Sequence, residues 1–273
     1  MEIYHIIKRI RQDLIAPVDV IGCYSVPKQV EDKKLYTLIS LIISAQTKDE
    51  INYQTMINIC TKLESEDTVN NKYKIDNNKY NKKDHTKYKI NIIDNVLFLK
   101  INEESYKYTK RNGQIFGPDI NLTTNRLTLR NLQTETNLKS LLIPVGFYNK
   151  KYDTIKNLVN HISLKGFPSS LAECLGIKGL GRKMSILYLN KYYKIVGISV
   201  DTHVHRLSNL YKIVETRTPE ETRKKLEEIV DKKEWEMFNN VLVGYGQVMC
   251  KKRKPRCEEC EIYKKNSMDC FKF

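Results

Sequence analysis

No stretch of this 273-residue sequence approaches the roughly 18 consecutive apolar residues that a membrane-spanning helix requires. No export signal is expected either. The opening MEIYHIIKRIRQDL mixes acidic residues into an amphipathic pattern, unlike the basic start and apolar core of a secretory leader. A soluble intracellular protein is expected. Acidic residues are in deficit, with 32 Asp and Glu against 47 Lys and Arg and a net charge of +15. That balance points to polyanionic partners, nucleic acid first. The cysteines are not even in number. There are seven, and an odd count without an export signal argues against a disulfide framework. No internal repeat is visible, and the length allows one large domain or two modest ones.

What is present is mostly helical periodicity. Leu35, Leu38, Ile39 and Ile42 recur at helical spacing, and SAQT then interrupts them. Thr47 with Glu50 three residues later reads as a capping box opening a second helix, which puts Gln46 at a helix junction. Helical pattern returns near Leu127, breaks at Pro144 and Gly146, and resumes. FPSSLAECLG is expected to be a short helix starting at Ser169 or Ser170 and ending at Gly176. The next runs from about Arg182 to Tyr193. KIVGISV is a short extended connector before a helix capped by Asp201 or Thr202. Thr218, Pro219 and Glu221 mark another start, and WEMFNNVLVGYGQVM a last helix.

The segment from about 65 to 127 breaks this pattern. NNKYKIDNNKYNK, residues 70–82, holds five Asn and four Lys in thirteen positions, too little apolar surface to drive burial. INIIDNVLFLKI and ESYKYTKRNGQIF have strand character, with an Asn-Gly turn. As a whole the segment is expected to be a passive, mobile insertion. A contact of its lysines and tyrosines with DNA is the alternative.

Two constellations can carry chemistry before any family is considered. In IKGLGRK, Gly179 and Gly181 allow a sharp turn and a close backbone approach, ahead of a helix whose first N–H groups lack partners. Those groups and the helix dipole suit a phosphate oxygen; an ordinary helical hairpin fits the glycines equally well. Lys183 sharpens the choice, because cations normally sit at the other end of a helix. Beside a positive dipole end and Arg182 it is pressed toward the free amine that a nucleophile must be. A second phosphate-binding cation is the alternative. Asp201 follows the apolar IVGISV and precedes a helix, which makes it at least an N-cap. A carboxylate near an electron-poor sugar carbon also stabilises the charge that develops as a glycosidic bond breaks, and can assist proton transfer. His203 and His205 lie two apart, off a common helix face, so no metal site is expected there.

The other constellation closes the chain. Cys250, Cys257, Cys260 and Cys270 crowd into the last 24 residues, separated by six, two and nine residues. Four thiolates suit an iron–sulfur cluster or a structural zinc. The intervening KKRKPR would form a basic loop tied down by that group.

LISLIISAQTKDE, GLGRKMS, GISVDTHVHRLSN, TPEETRKKLEE, NNVLVGYGQVMC and the closing cysteines together resemble the endonuclease III family, most closely its eukaryotic members. These are DNA glycosylases and AP lyases of the helix-hairpin-helix superfamily. The resemblance covers roughly residues 33–63 and 128–260. It implies an all-α fold of two domains: a helical barrel over 27–195, and residues 1–26 with 196–273 around a [4Fe-4S] cluster held by Cys250, Cys257, Cys260 and Cys270. Lys183 matches the family's Schiff-base lysine and Asp201 its catalytic aspartate. Gln46 matches the glutamine that fills the space of the extruded base, and Phe147 the apolar wedge. Gly179 and Gly181 match the hairpin glycines, with Arg182 and His203 completing the expected DNA-binding set. The implied partner is double-stranded DNA with an oxidised pyrimidine or abasic site. The implied chemistry is base flipping, a Schiff base and β-elimination by a monomer in the nucleus, with a mitochondrial pool as an extension.

Three departures stand out. Lys178 replaces a proline, which is expected to loosen the turn. The final cysteine spacing is longer than is typical, and the insertion has no counterpart. An adenine-mismatch glycosylase of the same superfamily lacks the lysine. A non-catalytic DNA-binding module would have no need of both Lys183 and Asp201.

Overall fold

Amphipathic spacing in the first residues makes the helix Glu2–Asp13 (α1), whose buried side is Tyr4, Ile7 and Arg11. The computed structural model describes residues 1–66, 88–101, 104–119, 122 and 124–266; the Asn/Lys-rich stretch 70–82 and Cys270 lie outside them. A short helix, Pro17–Ile21 (α2), opens on its proline. Lys33–Ser44 (α3) starts where Asp32 accepts from the Leu35 N–H at 3.0 Å. Every residue from Leu35 to Ile43 is buried, as a helix apolar all round must be. Asp49–Lys62 (α4) follows.

After the sheet described below come Leu129–Gln133 (α5), Leu138–Leu141 (α6), Tyr148–Lys165 (α7), Leu171–Gly176 (α8) and Arg182–Tyr192 (α9). Thr202–Leu210 (α10), Pro219–Ile229 (α11), Trp235–Val248 (α12) and Glu261–Asn266 (α13) complete the described helices. None of them is long and apolar enough to cross a membrane. The expected caps at Ser170, Asp201 and Thr218 all form.

Apolar side chains gather in three clusters. The largest joins α3, α4 and α7 to the faces of α8 and α9 turned toward them, with Leu38, Ile59, Leu158 and Leu189 fully buried. A second unites α1 with the chain after Val196: Tyr4 stacks on Phe238 at 4.5 Å between ring centroids, beside Val204, Leu226 and Leu242. α1 is also tied to this half by Lys8, 2.7 Å from Glu234. Residues distant in sequence thus share one core.

The third cluster corrects the expectation of a passive insertion. Tyr88–Ile93 (β1), Val96–Ile101 (β2), Glu104–Arg111 (β3) and Gln114–Phe116 (β4) form an antiparallel meander in chain order. Two-residue turns at Asp94-Asn95 and Asn112-Gly113 all have positive φ, the geometry that matches strand twist in a tight hairpin. Leu97, Leu99 and Tyr108 alternate onto one face and pack against Ile15, Val20, Ile21 and Tyr53. Burying each such leucine stabilises by about 1.5–3 kcal/mol.

Polar contacts fix the sheet where the apolar ones place it. The Ile15 N–H donates to Asn95 Oδ1 at 2.9 Å, and the Asn112 N–H to Asp13 Oδ1 at 2.8 Å. Both turns therefore grip the end of α1. Beneath them Asp19 Oδ1 lies 2.8 Å from Arg11 and 3.2 Å from Lys110, all three side chains less than a tenth exposed. Breaking one member of such a set strands a buried charge, so the sheet is an integral part of this fold.

Candidate active site

The hairpin is positioned by α7. α8 ends at Gly176, and Ile177 and Leu180 turn inward and are buried. Gly179 has φ +98°, and a Cβ there would fall 2.1 Å from Thr154 Oγ1 on α7. Both the backbone angle and the close approach demand glycine. The turn is also held through the Lys178 carbonyl, which accepts from Asn157 Nδ2 at 3.1 Å. That bond is to a backbone carbonyl, which a proline at 178 would offer equally. Gly181 is different. Its φ of −84° suits any residue, and a Cβ would meet nothing closer than Met184 Cε at 3.6 Å. The fold does not require this glycine. α9 begins there with no side-chain cap, so its first N–H groups are not met by a side chain.

Lys183 stands in that first turn. Its Nζ lies 3.8 Å from Asp201 Oδ2, with the lysine side chain 46% exposed and the aspartate 14%. The amine is open to a ligand and the carboxylate is recessed behind it. The two oxygens of Asp201 divide their work: Oδ1 accepts from the Val204 N–H at 2.8 Å, capping α10, and Oδ2 faces the amine. The connector between the two helices is pinned along its length. Asn190 Nδ2 donates to the Gly197 carbonyl at 2.8 Å, the Ile198 N–H to Glu227 Oε1 at 2.8 Å, and Asn239 Nδ2 to the Ser199 carbonyl at 3.0 Å. The backbone that carries Asp201 is thus fixed relative to α9 before any ligand arrives.

Behind this pair lies a group that the sequence did not reveal. Asp49, in the first turn of α4, accepts from Gln247 Nε2 at 2.6 Å. Burial pushes its carboxyl above the usual range, and nearby Lys183 opposes that push. Nothing local in the sequence marks it, because its partner is 198 positions away. His203 is half-buried; a Cβ at Gly246 would come within 2.5 Å of its Nδ1, and among the described residues that nitrogen has no hydrogen-bond partner. Burial holds its imidazole below the usual range. Arg182 is exposed, 3.9 Å from Glu220, a separation worth little between solvated groups.

Gln46 and Phe147 come together at another edge. Both are exposed, Phe147 by 63%, and both have left-handed backbone, φ 53° and 57°. A Cβ at Gly146 would be 3.3 Å from the Gln46 carbonyl, so the two turns touch. The capping box at Thr47 does not form. α4 opens one residue later at Lys48, without a side-chain cap, because the Thr47 hydroxyl accepts from Lys151 Nζ at 2.7 Å instead.

Cys250, Cys257 and Cys260 line one cavity of about 1340 Å³. Arg206 Nη1 approaches Cys250 Sγ at 3.7 Å, the Tyr263 N–H points to Cys260 Sγ at 3.4 Å, and Tyr245 Oη lies 3.1 Å from the same sulfur. Donors aimed at sulfur suit thiolate ligands, which is the chemistry that a metal cluster would ask of these three sulfurs; Cys270 lies outside the described residues. Among the described residues, no three His, Cys, Asp or Glu form a group that could hold a metal ion. Lys251, Lys252, Arg253 and Lys254 are exposed on the intervening loop. The remaining cysteines, Cys23, Cys60 and Cys174, are apart from this; burial pushes all three thiols up, Cys60 to about 12 and Cys174 to about 11, away from the reactive thiolate.

Comparison with known proteins bears on the chain as a whole. Positions 106–232 match the family model of the HhH-GPD superfamily base excision DNA repair protein. An endonuclease III homolog of Encephalitozoon cuniculi is 33% identical over 95% of this chain and 90% of its own length. The homolog of Schizosaccharomyces pombe is 28% identical over 97% of this chain, which spans 60% of that protein. Among solved structures, a non-covalent endonuclease III–DNA complex aligns with TM-score 0.59 at 17% identity, over 96% of this chain and 91% of that one. A trapped endonuclease III–DNA covalent intermediate aligns with TM-score 0.55 at 19% identity, over 94% of each chain. These structural likenesses speak for the fold.

Proposed function

Because this chain belongs to the endonuclease III family of base-excision DNA repair glycosylases, we propose that it is a bifunctional glycosylase and AP lyase acting on oxidised pyrimidines in duplex DNA. The observation that carries this reading is the amine of Lys183 beside the recessed carboxylate of Asp201. We take the first two core clusters as the centres of two domains, 27–195 and 1–26 with 196–273, with the DNA between them.

In this reading the damaged nucleotide leaves the stack, because its sugar carbon is out of reach inside the helix. Gln46 fills the gap and Phe147 wedges the neighbouring bases, while the bare backbone at Gly179 and Gly181 and the start of α9 hold phosphate. Arg182 adds a cation, and His203 helps shape the floor. Lys183 Nζ attacks C1′, the bond from C1′ to the base breaks, and the base leaves with a proton. Asp201 balances the positive charge on the sugar and accepts the proton from the attacking amine. Ring opening gives an iminium between Nζ and C1′, with O4′ released as a hydroxyl. Loss of a C2′ proton then expels the 3′ phosphate, and water frees the lysine from an unsaturated aldehyde.

The test is a set of duplexes carrying thymine glycol, a plain abasic site, or adenine opposite guanine. The expected result is base release and strand cleavage on the first, cleavage alone on the second, and no reaction on the third. Base release without cleavage would leave a monofunctional enzyme; binding without either reaction would leave a DNA-binding module.

We propose that Cys250, Cys257, Cys260 and Cys270 hold a [4Fe-4S] cluster, whose service is to tie down the C-terminal segment and present its basic loop to DNA. Purified protein is expected to be brown, with iron and acid-labile sulfide, and Cys260→Ser to lose both. Zinc without sulfide would overturn this assignment. Action as a monomer in the nucleus, with a mitochondrial pool, completes the proposal.

A further inference from the structure

Lys151 lies in the first turn of α7, only 5% exposed, and among the described residues its amine has no carboxylate partner. It donates instead to the Ile43 carbonyl and to the Thr47 hydroxyl, each at 2.7 Å. These acceptors flank Gln46. On its own side, the Lys151 N–H bonds the Phe147 carbonyl at 3.2 Å, within the first turn of α7. One buried residue therefore spans the two turns whose exposed tips are left-handed, its side chain bonded beside Gln46 and its backbone, within the first turn of α7, bonded to Phe147.

Energetics suggest that this arrangement serves a purpose. Left-handed backbone at a residue other than glycine costs roughly 1–3 kcal/mol and persists only where the surroundings impose it. The Ile43 carbonyl is among the last of α3, which the helix itself leaves unpaired, and a cation there meets the negative end of the dipole. Against this, burial alone pulls the Lys151 amine down to about 8. A core that needed only volume at this position would be filled better by methionine.

We infer that Lys151 is a positioning residue, a latch that holds the Gln46 and Phe147 turns in register so that both side chains enter the duplex together. The inference rests on the function proposed above, in which those two side chains replace the extruded nucleotide. Lys151 touches neither sugar nor base and acts through them. A single-stranded abasic site has no partner strand and no gap to fill, so the latch should matter little there.

The experiment compares wild type, Lys151→Met and Lys151→Arg by borohydride trapping on duplex and single-stranded abasic DNA. In parallel, 2-aminopurine opposite the abasic site reports insertion into the gap. Lys151→Met is expected to lose on the order of tenfold or more in trapping rate on duplex, and to stay within about twofold on single strands. Its 2-aminopurine response should shrink in step, and Lys151→Arg should recover part of both. If the methionine variant does not fold, Thr47→Val, which removes one acceptor, takes its place. Equal losses on both substrates, or an unchanged duplex rate, would overturn the latch alone. A wild-type protein that traps neither substrate would overturn the proposed function and the latch with it.

Discussion

Lys183→Ala is expected to abolish the borohydride-stable adduct with abasic DNA. The nitrogen that forms the Schiff base is gone, and the neighbouring cation, Arg182, offers a guanidinium that stays protonated. Strand cleavage should fall by on the order of 10³-fold or more, about 4 kcal/mol of barrier. The fold should not suffer. Lys183 is nearly half exposed, and alanine is the best helix former. DNA binding should weaken only by the loss of one solvated cation. An adduct of wild-type yield from the alanine variant would reassign the nucleophile.

Asp201→Asn separates two jobs that one side chain performs. Asparagine caps a helix about as well as aspartate, so the bond to the Val204 N–H is expected to survive, and with it the stability of α10. What disappears is the negative charge 3.8 Å from Lys183 Nζ. Base excision should slow by roughly 10²- to 10⁴-fold, the range for a lost acid–base group, while duplex affinity changes little. Asp201→Ala is the contrast. It should show the same loss of excision and also about 1 kcal/mol less stability from the missing cap, read by denaturant unfolding. Parallel losses of binding and excision in the asparagine variant would reduce Asp201 to a cap.

What could be read from the sequence follows the range of each interaction. Caps are local, and Ser170, Asp201 and Thr218 were legible because each acceptor sits three residues from its donor. Gly179 was legible as a turn, although its collision with Thr154 was not. The capping box at Thr47 misled because a lysine 104 positions away takes the hydroxyl. Lys151 sits in the run NKKY, where nothing local marks it for burial. Asp49 and Gln247 were hidden for the same reason: nothing in either segment announces a partner in the other. The insertion was read by its Asn/Lys-rich first half. Its second half carries alternating apolar residues and two tight turns, which is enough to build a sheet once α1 and α2 supply a surface. Lysine and aspartate at the site were each visible as candidates. Their separation depends on side chains that pin the connector, and that only the fold could supply.

One measurement bears most directly on the whole account. Protein incubated with abasic duplex and borohydride is digested, and the peptide carrying the reduced sugar is sequenced by mass spectrometry. The expected site of attachment is Lys183 Nζ, in a peptide spanning the start of α9. Attachment to the terminal amine or to any other lysine, in protein otherwise active on the lesion, would contradict the claim that this amine, backed by Asp201, performs the chemistry.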